Sequence, residues 1–181
     1  ALLNFHGWDL DGTARVFRAN ILKHGSDEVV SGFSQDKVYQ DGQNDQTISA
    51  QGGAFTLNYK FDFATLTAIT GYETLDMYSR GDIDGGYGAV FAPPSGPGLI
   101  PFPSESADGI PELDQFTQEI RLASDTGGDW DWLVGFFYFD ESLKAESFSY
   151  NSLGGNVQDG YAFQVQDAES WALFTSLDFR P

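Results

Sequence analysis

Two pairs of aspartates stand where residue type and spacing would do chemistry. One is Asp9 and Asp11, the other Asp82 and Asp84.

Asp9-Leu10-Asp11-Gly12-Thr13 resembles the opening motif of haloacid dehalogenase-like phosphatases, and that resemblance would imply phosphoryl transfer with the first Asp as nucleophile and the second as general acid/base. Such a site needs a buried parallel strand before it, a helix after it, and a Lys with further carboxylates from later βα units to hold phosphate and magnesium. Asn4-Phe5-His6-Gly7-Trp8 is no buried run, and the rest of the chain has no crossover helices. No enzymatic activity is expected, and Asp11-Gly12 reads as a hairpin turn. Asp82-Ile83-Asp84-Gly85-Gly86 has the alternating carboxylates of a calcium loop, but Pro93 falls where the closing Glu belongs. That stretch reads as the acidic start of a long loop whose Asp82, Asp84, Tyr87 and Phe91 are the candidate contacts for a small ligand. His6 and His24 lack ligand spacing and are expected in solvent near turns. Neither a nucleophile elbow, a phosphate-cradling Gly loop nor a zinc signature is present, so no metal or cofactor is expected.

The elements that would position these residues are strands. Phe116, Gln118, Ile120 and Leu122 alternate with Thr117, Glu119, Arg121 and Ala123, a period of two. A turn over Thr126 to Asp129 follows, centred on Gly127-Gly128, and beyond it Trp130 and Trp132 bring rings suited to a membrane–water interface. Eight strand-like segments are expected: Leu2 to Asp9, Thr13 to Lys23, Glu28 to Gln40, Thr47 to Phe61, Ala64 to Asp82, Leu113 to Asp125, Trp130 to Tyr150 and Tyr161 to Arg180. Tight turns at His24 to Asp27, Asp62-Phe63 and Thr126 to Asp129 alternate with longer connections at Asp41 to Gln46, Ile83 to Glu112 and Asn151 to Gly160. Short turns on one side and long loops on the other suit a transmembrane barrel, with the short side periplasmic.

In four strands an apolar row opposes a polar one. Phe55, Leu57, Tyr59 and Phe61 alternate with Thr56, Asn58 and Lys60, while Leu66, Ala68 and Tyr72 oppose Thr65, Thr67, Gly71 and Glu73. Trp171, Leu173, Leu177 and Phe179 likewise oppose Ala172, Ser176, Asp178 and Arg180. Asn58, Lys60, Glu119 and Arg121 would then face a lumen as wall charges. A soluble sandwich would alternate in the same way. Strand length and aromatic placement favour the barrel.

Composition narrows the partners. With 27 Asp and Glu against 9 Lys and Arg the net charge is -18, so no phosphate-neutralising stripe for nucleic acid is available. Cysteine is absent, which removes disulfides and thiolate metal sites. No apolar run is long enough for a spanning helix, and no signal peptide is visible. The loop from Ile83 to Glu112, rich in Gly and Pro, is long for a passive connection.

The segments QFTQEIRLASDTGGDWDWLVGFFYFDE (Gln115 to Glu141), FATLTAITGYETLDMYSRGDIDG (Phe63 to Gly85) and ESWALFTSLDFR (Glu169 to Arg180) together resemble the barrel domain of TonB-dependent outer-membrane receptors. The resemblance implies residence in a Gram-negative-type outer membrane, contact with its lipid, and energised uptake of a scarce nutrient such as a ferric siderophore. Coupling to the TonB energy-coupling protein would run through parts of the receptor not seen here, because the plug is absent. A plugged barrel of this kind has 22 strands, so residues 1–181 are expected to be a single partial barrel domain: an internal, antiparallel up-and-down meander of about eight long strands, forming a curved open sheet or a small closed barrel in isolation. The alternative is a soluble acidic all-β module that binds a cation or glycan through the long loop.

Overall fold

A computed structural model describes residues 1–13, 16–18, 21–23, 25–38, 40, 42–85, 103–124, 127–151 and 154–179. They form one antiparallel sheet of six strands in sequential order: β1 (Leu2–Gly12), β2 (Asp45–Lys60), β3 (Ala64–Asp82), β4 (Glu105–Ser124), β5 (Trp130–Asn151) and β6 (Val157–Phe179). The chain is all-β and the sheet is an open meander with β1 and β6 at its edges. Five of the eight expected segments appear where the alternation placed them or within a few residues of it, and β4 is longer. It begins at Glu105, eight residues earlier than expected, so the loop after β3 is 83–104. The extension was masked by Pro111, which sits in a register shift between Gly109 and Glu112, where a missing N–H costs no ladder bond.

The remaining two segments, Thr13 to Lys23 and Glu28 to Gln40, form no strand among the described residues. Leu22 and Val29 make an isolated bridge, and Lys23 N–H donates to the Glu28 carbonyl at 2.8 Å, so the expected turn between them is present. Neither arm extends into a strand among the described residues, and in the second arm the cause is visible. Gly32 has φ of 88°, which an extended strand cannot contain, and Phe33 N–H turns back to the Val30 carbonyl at 3.3 Å. β1 pairs directly with β2 instead, Leu2 opposite Thr56 through Gly12 opposite Gln46. Asp9 and Asp11 therefore lie in that ladder and not in a turn.

The short connections fall at one end of the sheet. Phe61 N–H donates to the Ala64 carbonyl at 2.8 Å in the β2–β3 turn, and Gly127, with φ of 62°, lies between β4 and β5. The opposite end carries residues 13–44, 83–104 and 152–156. The last of these is tighter than the expected Asn151 to Gly160 connection, because β6 starts at Val157.

This is a sheet without a conventional core. Ala64 and Ala107 are the buried apolar side chains among the described residues, while Leu173 is 71% exposed and Phe5 77%. In a single layer each face must find its cover outside the sheet.

Candidate functional site

The cross-strand register sorts every side chain to one of two faces, since residues directly opposite share a face. One rung reads Leu57, Ala68, Ile120, Phe136 and Leu173; the next toward the long-loop end reads Phe55, Thr70, Gln118, Tyr138 and Trp171. With Tyr59, Leu66, Leu122, Val134 and Leu177 these residues make a largely apolar band across β2 to β6, interrupted at Thr70 and Gln118, where the Thr70 hydroxyl donates to the Gln118 side chain at 2.6 Å. On β6 the band runs from Trp171 to Phe179, about nine residues, which is the length a tilted strand needs to cross a bilayer.

Aromatic side chains border the band at both ends. At the short-turn end Tyr59 meets Phe61 edge-on at 4.7 Å, Phe61 stacks on Phe63 at 5.8 Å, and Trp130 lies 4.6 Å from Phe179. Tyr72, Phe116, Tyr138 and Trp171 stand at the other border, with Phe116 and Tyr138 6.3 Å apart. Beyond them come carboxylates: Asp114 accepts from the Tyr72 hydroxyl at 2.5 Å, and Asp140 from Tyr138 at 3.0 Å. Rings whose apolar bodies lie toward the band and whose hydroxyls bond carboxylates beyond it suit a boundary between hydrocarbon and water. Near β1 the same face has a shallow apolar groove lined by Leu3, Phe5, Gly53, Phe55, Thr70 and Tyr72.

The four residues expected on the opposite face are there together. Asn58 pairs with Thr67, Thr67 with Arg121, and Lys60 with Thr65, while Glu119 follows two positions from Arg121. The Thr67 hydroxyl donates to Asn58 at 2.8 Å, and Arg121 bridges Glu119 at 3.2 Å. This face is not wholly polar, because β5 adds Leu133, Phe137, Phe139 and Leu143 to it. It also holds a contact that sequence spacing did not show: His6 Nε2 lies 2.9 Å from Glu73 Oε2. His6, Gly52 and Glu73 occupy one rung across β1, β2 and β3, and the glycine between them leaves room for the two side chains to meet. A Cβ at Gly52 would fall 1.9 Å from Glu73 Oε2. His6 is thus held in a ladder and not beside a turn.

At the long-loop end lies the most buried polar group of the described residues. Asp82 and Asp84 are 1% and 2% exposed, and Glu105 is 8%. Asp82 accepts from the backbone N–H of Gly42 at 3.1 Å and of Asp84 at 3.2 Å, and Asp84 accepts from Ser104 N–H at 2.9 Å. Arg80 bridges Glu105 at 2.6 Å with its guanidinium 4.1 Å above the Tyr150 ring, and Asn156 Nδ2 donates to Glu105 at 3.1 Å. Burial, then a hydrogen bond with Tyr78, raises the Tyr150 phenol above its ordinary 10.0. The two aspartates thus clamp residue 42 and the feet of the 83–104 loop through backbone donors. Tyr87 and Phe91 lie outside the described residues, as does His24. Sequence reading missed Arg80, Glu105 and Asn156, whose meeting depends on three segments remote in the chain.

Among the described residues no group of three or more His, Asp or Glu side chains is placed to hold a metal ion. No helix there is long and apolar enough to cross a membrane, which says nothing of strands. No family model, curated protein or solved structure matches this chain.

Proposed function

We propose that this chain forms part of the wall of an outer-membrane β-barrel, and that the barrel is a TonB-dependent receptor taking up a scarce nutrient such as a ferric siderophore. The observation that carries the membrane reading is the band from Tyr59 to Leu177, which crosses five strands, is bordered by aromatic rings, and has Phe55, Leu57, Ile120, Val134, Trp171 and Leu173 exposed. An exposed apolar surface of that extent is costly in water and favourable against lipid. The receptor assignment rests on the resemblance of Gln115 to Glu141, Phe63 to Gly85 and Glu169 to Arg180 to receptor barrels. In this reading Asn58, Lys60, Glu119 and Arg121 are lumenal wall residues, and Asp82 and Asp84 hold the base of a loop whose Tyr87 and Phe91 contact the nutrient. The energy-coupling protein acts through other parts of the receptor.

Reconstitution into vesicles containing bromine-labelled lipid tests the membrane reading. In a Trp8→Phe variant the remaining tryptophans, Trp130, Trp132 and Trp171, all lie on the band face, and their fluorescence should be strongly quenched. Unquenched emission, with the chain monodisperse in plain buffer, would leave the soluble acidic module as the better account. The receptor assignment is tested separately by titrating ferric siderophores and following protection of the 83–104 loop against protease.

A further inference from the structure

Along β5 the side chains on the face opposite the band shrink toward the long-loop end. Leu143 is followed on that face by Ala145 and then Ser147. Their neighbours shrink as well: Leu113 stands opposite Leu143, whereas Ala145 meets Gln164 and Ser147 meets Ala162. Between Gly109 and Leu113, β4 also carries one residue more than the strands beside it, since its register shifts against both β3 and β5 there. A bulge bends its strand and re-aims side chains, and bulges recur beside functional sites.

At this place the face opposite the band has a cavity of about 310 Å³, lined from β3, β4, β5 and β6. Ligand pockets run from roughly 300 to 1,000 Å³, so this one suits a small molecule. Met77, Ile110, Ala145 and Ala162 supply its apolar surface, and Asp108 and Gln164 bring polar groups to it. Asp108 is exposed and stands on one rung with the uncharged Ser79 and Ser147. The other carboxylate of the lining, Glu146, accepts from the Tyr161 hydroxyl at 3.1 Å, and no Lys or Arg lines the cavity. An organic anion would meet repulsion here with no cation to offset it. A bare metal ion would find too few oxygen ligands and an apolar floor.

We infer that this cavity binds a small molecule with an apolar body and a primary ammonium head, the body against Met77, Ile110, Ala145 and Ala162 and the head against Asp108. The site is separate from the 83–104 loop and rests on neither the membrane reading nor the receptor assignment.

Met77 is the single methionine of the chain, so an isotope-labelled methionine methyl gives one nuclear magnetic resonance signal inside the cavity. The wild-type chain in a neutral detergent is titrated with phenethylamine, phenethyl alcohol and phenylpropionate, which share an apolar body and differ in the head. Phenethylamine should shift the Met77 signal saturably and bind roughly three- to tenfold more tightly than phenylpropionate, with the alcohol between them. Asp108→Asn should abolish the preference for the amine while leaving the affinity for the alcohol, and Ala162→Leu, at an exposed position, should weaken all three. The assignment fails if the wild-type signal moves linearly or not at all, if phenylpropionate binds as tightly as the amine, if the preference survives Asp108→Asn, or if Ala162→Leu leaves binding unchanged.

Discussion

Arg80 and Glu105 show how much at the long-loop end depends on single side chains. Their charges are 17% and 5% exposed, so each relies on the other in place of water. Arg80→Met removes the cation and leaves Glu105 buried with the Asn156 amide as its remaining side-chain partner among the described residues, a change expected to cost about 3 kcal/mol. Arg80→Met combined with Glu105→Met restores most of that loss, because the penalty comes from an unpaired buried charge and not from the absence of a bond. Urea titration of the single and double variants measures both. A single variant within a few tenths of a kcal/mol of wild type would mean that the pair is solvated. Asp82 and Asp84 were visible in the sequence as an alternating acidic pair, but not their role as acceptors for Gly42 and Ser104. Which backbone N–H reaches a carboxylate depends on where separate segments meet.

Within one strand the two faces differ sharply, and β6 displays this best. Leu173 belongs to the band, whereas Ala172 belongs to the opposite face beside Phe137. In lipid, Leu173→Arg is expected to cost about 2–4 kcal/mol if it lies near the midplane, and Ala172→Arg far less. Folding yields into vesicles give the comparison, and equal penalties would remove the lipid assignment from this face. Strand alternation was legible because its period of two belongs to the backbone itself. The segments after β1 were misjudged for the same kind of reason. Val29 and Val30 have the β-branched side chains of a strand, but Gly32 turns the chain, and a strand persists only with a ladder partner. β2 takes the place beside β1, with Phe5 opposite Gly53 and Trp8 opposite Ala50.

At the scale of the whole molecule, a six-stranded single layer with two buried apolar side chains among its described residues, Ala64 and Ala107, has little burial of its own to offset chain entropy. Its order should therefore depend on an amphiphile. On detergent removal the β-sheet circular dichroism is expected to collapse or the chain to aggregate, and return of detergent during refolding should restore the signal. A sheet that survives in dilute buffer as a monomer would require an apolar cover that the described strands do not supply. The acidic balance acts in the same direction: with a net charge of -18 the compact state repels itself at low salt.

The sequence by itself determined that this chain is all-β, which residues of its long strands share a face, and where the tight turns at Asp62-Phe63 and beyond Ser124 fall. Each of these follows from local rules, the pleat and the conformations open to turn residues. Tertiary structure alone decided that the described residues form six strands and not the expected eight, that the sheet stays open at β1 and β6, that His6 meets Glu73 across Gly52, and that Arg80, Glu105 and Asn156 come together at one end. Those outcomes depend on partner choice and register between distant segments, and a period of two is common to every strand that competes for the same partner.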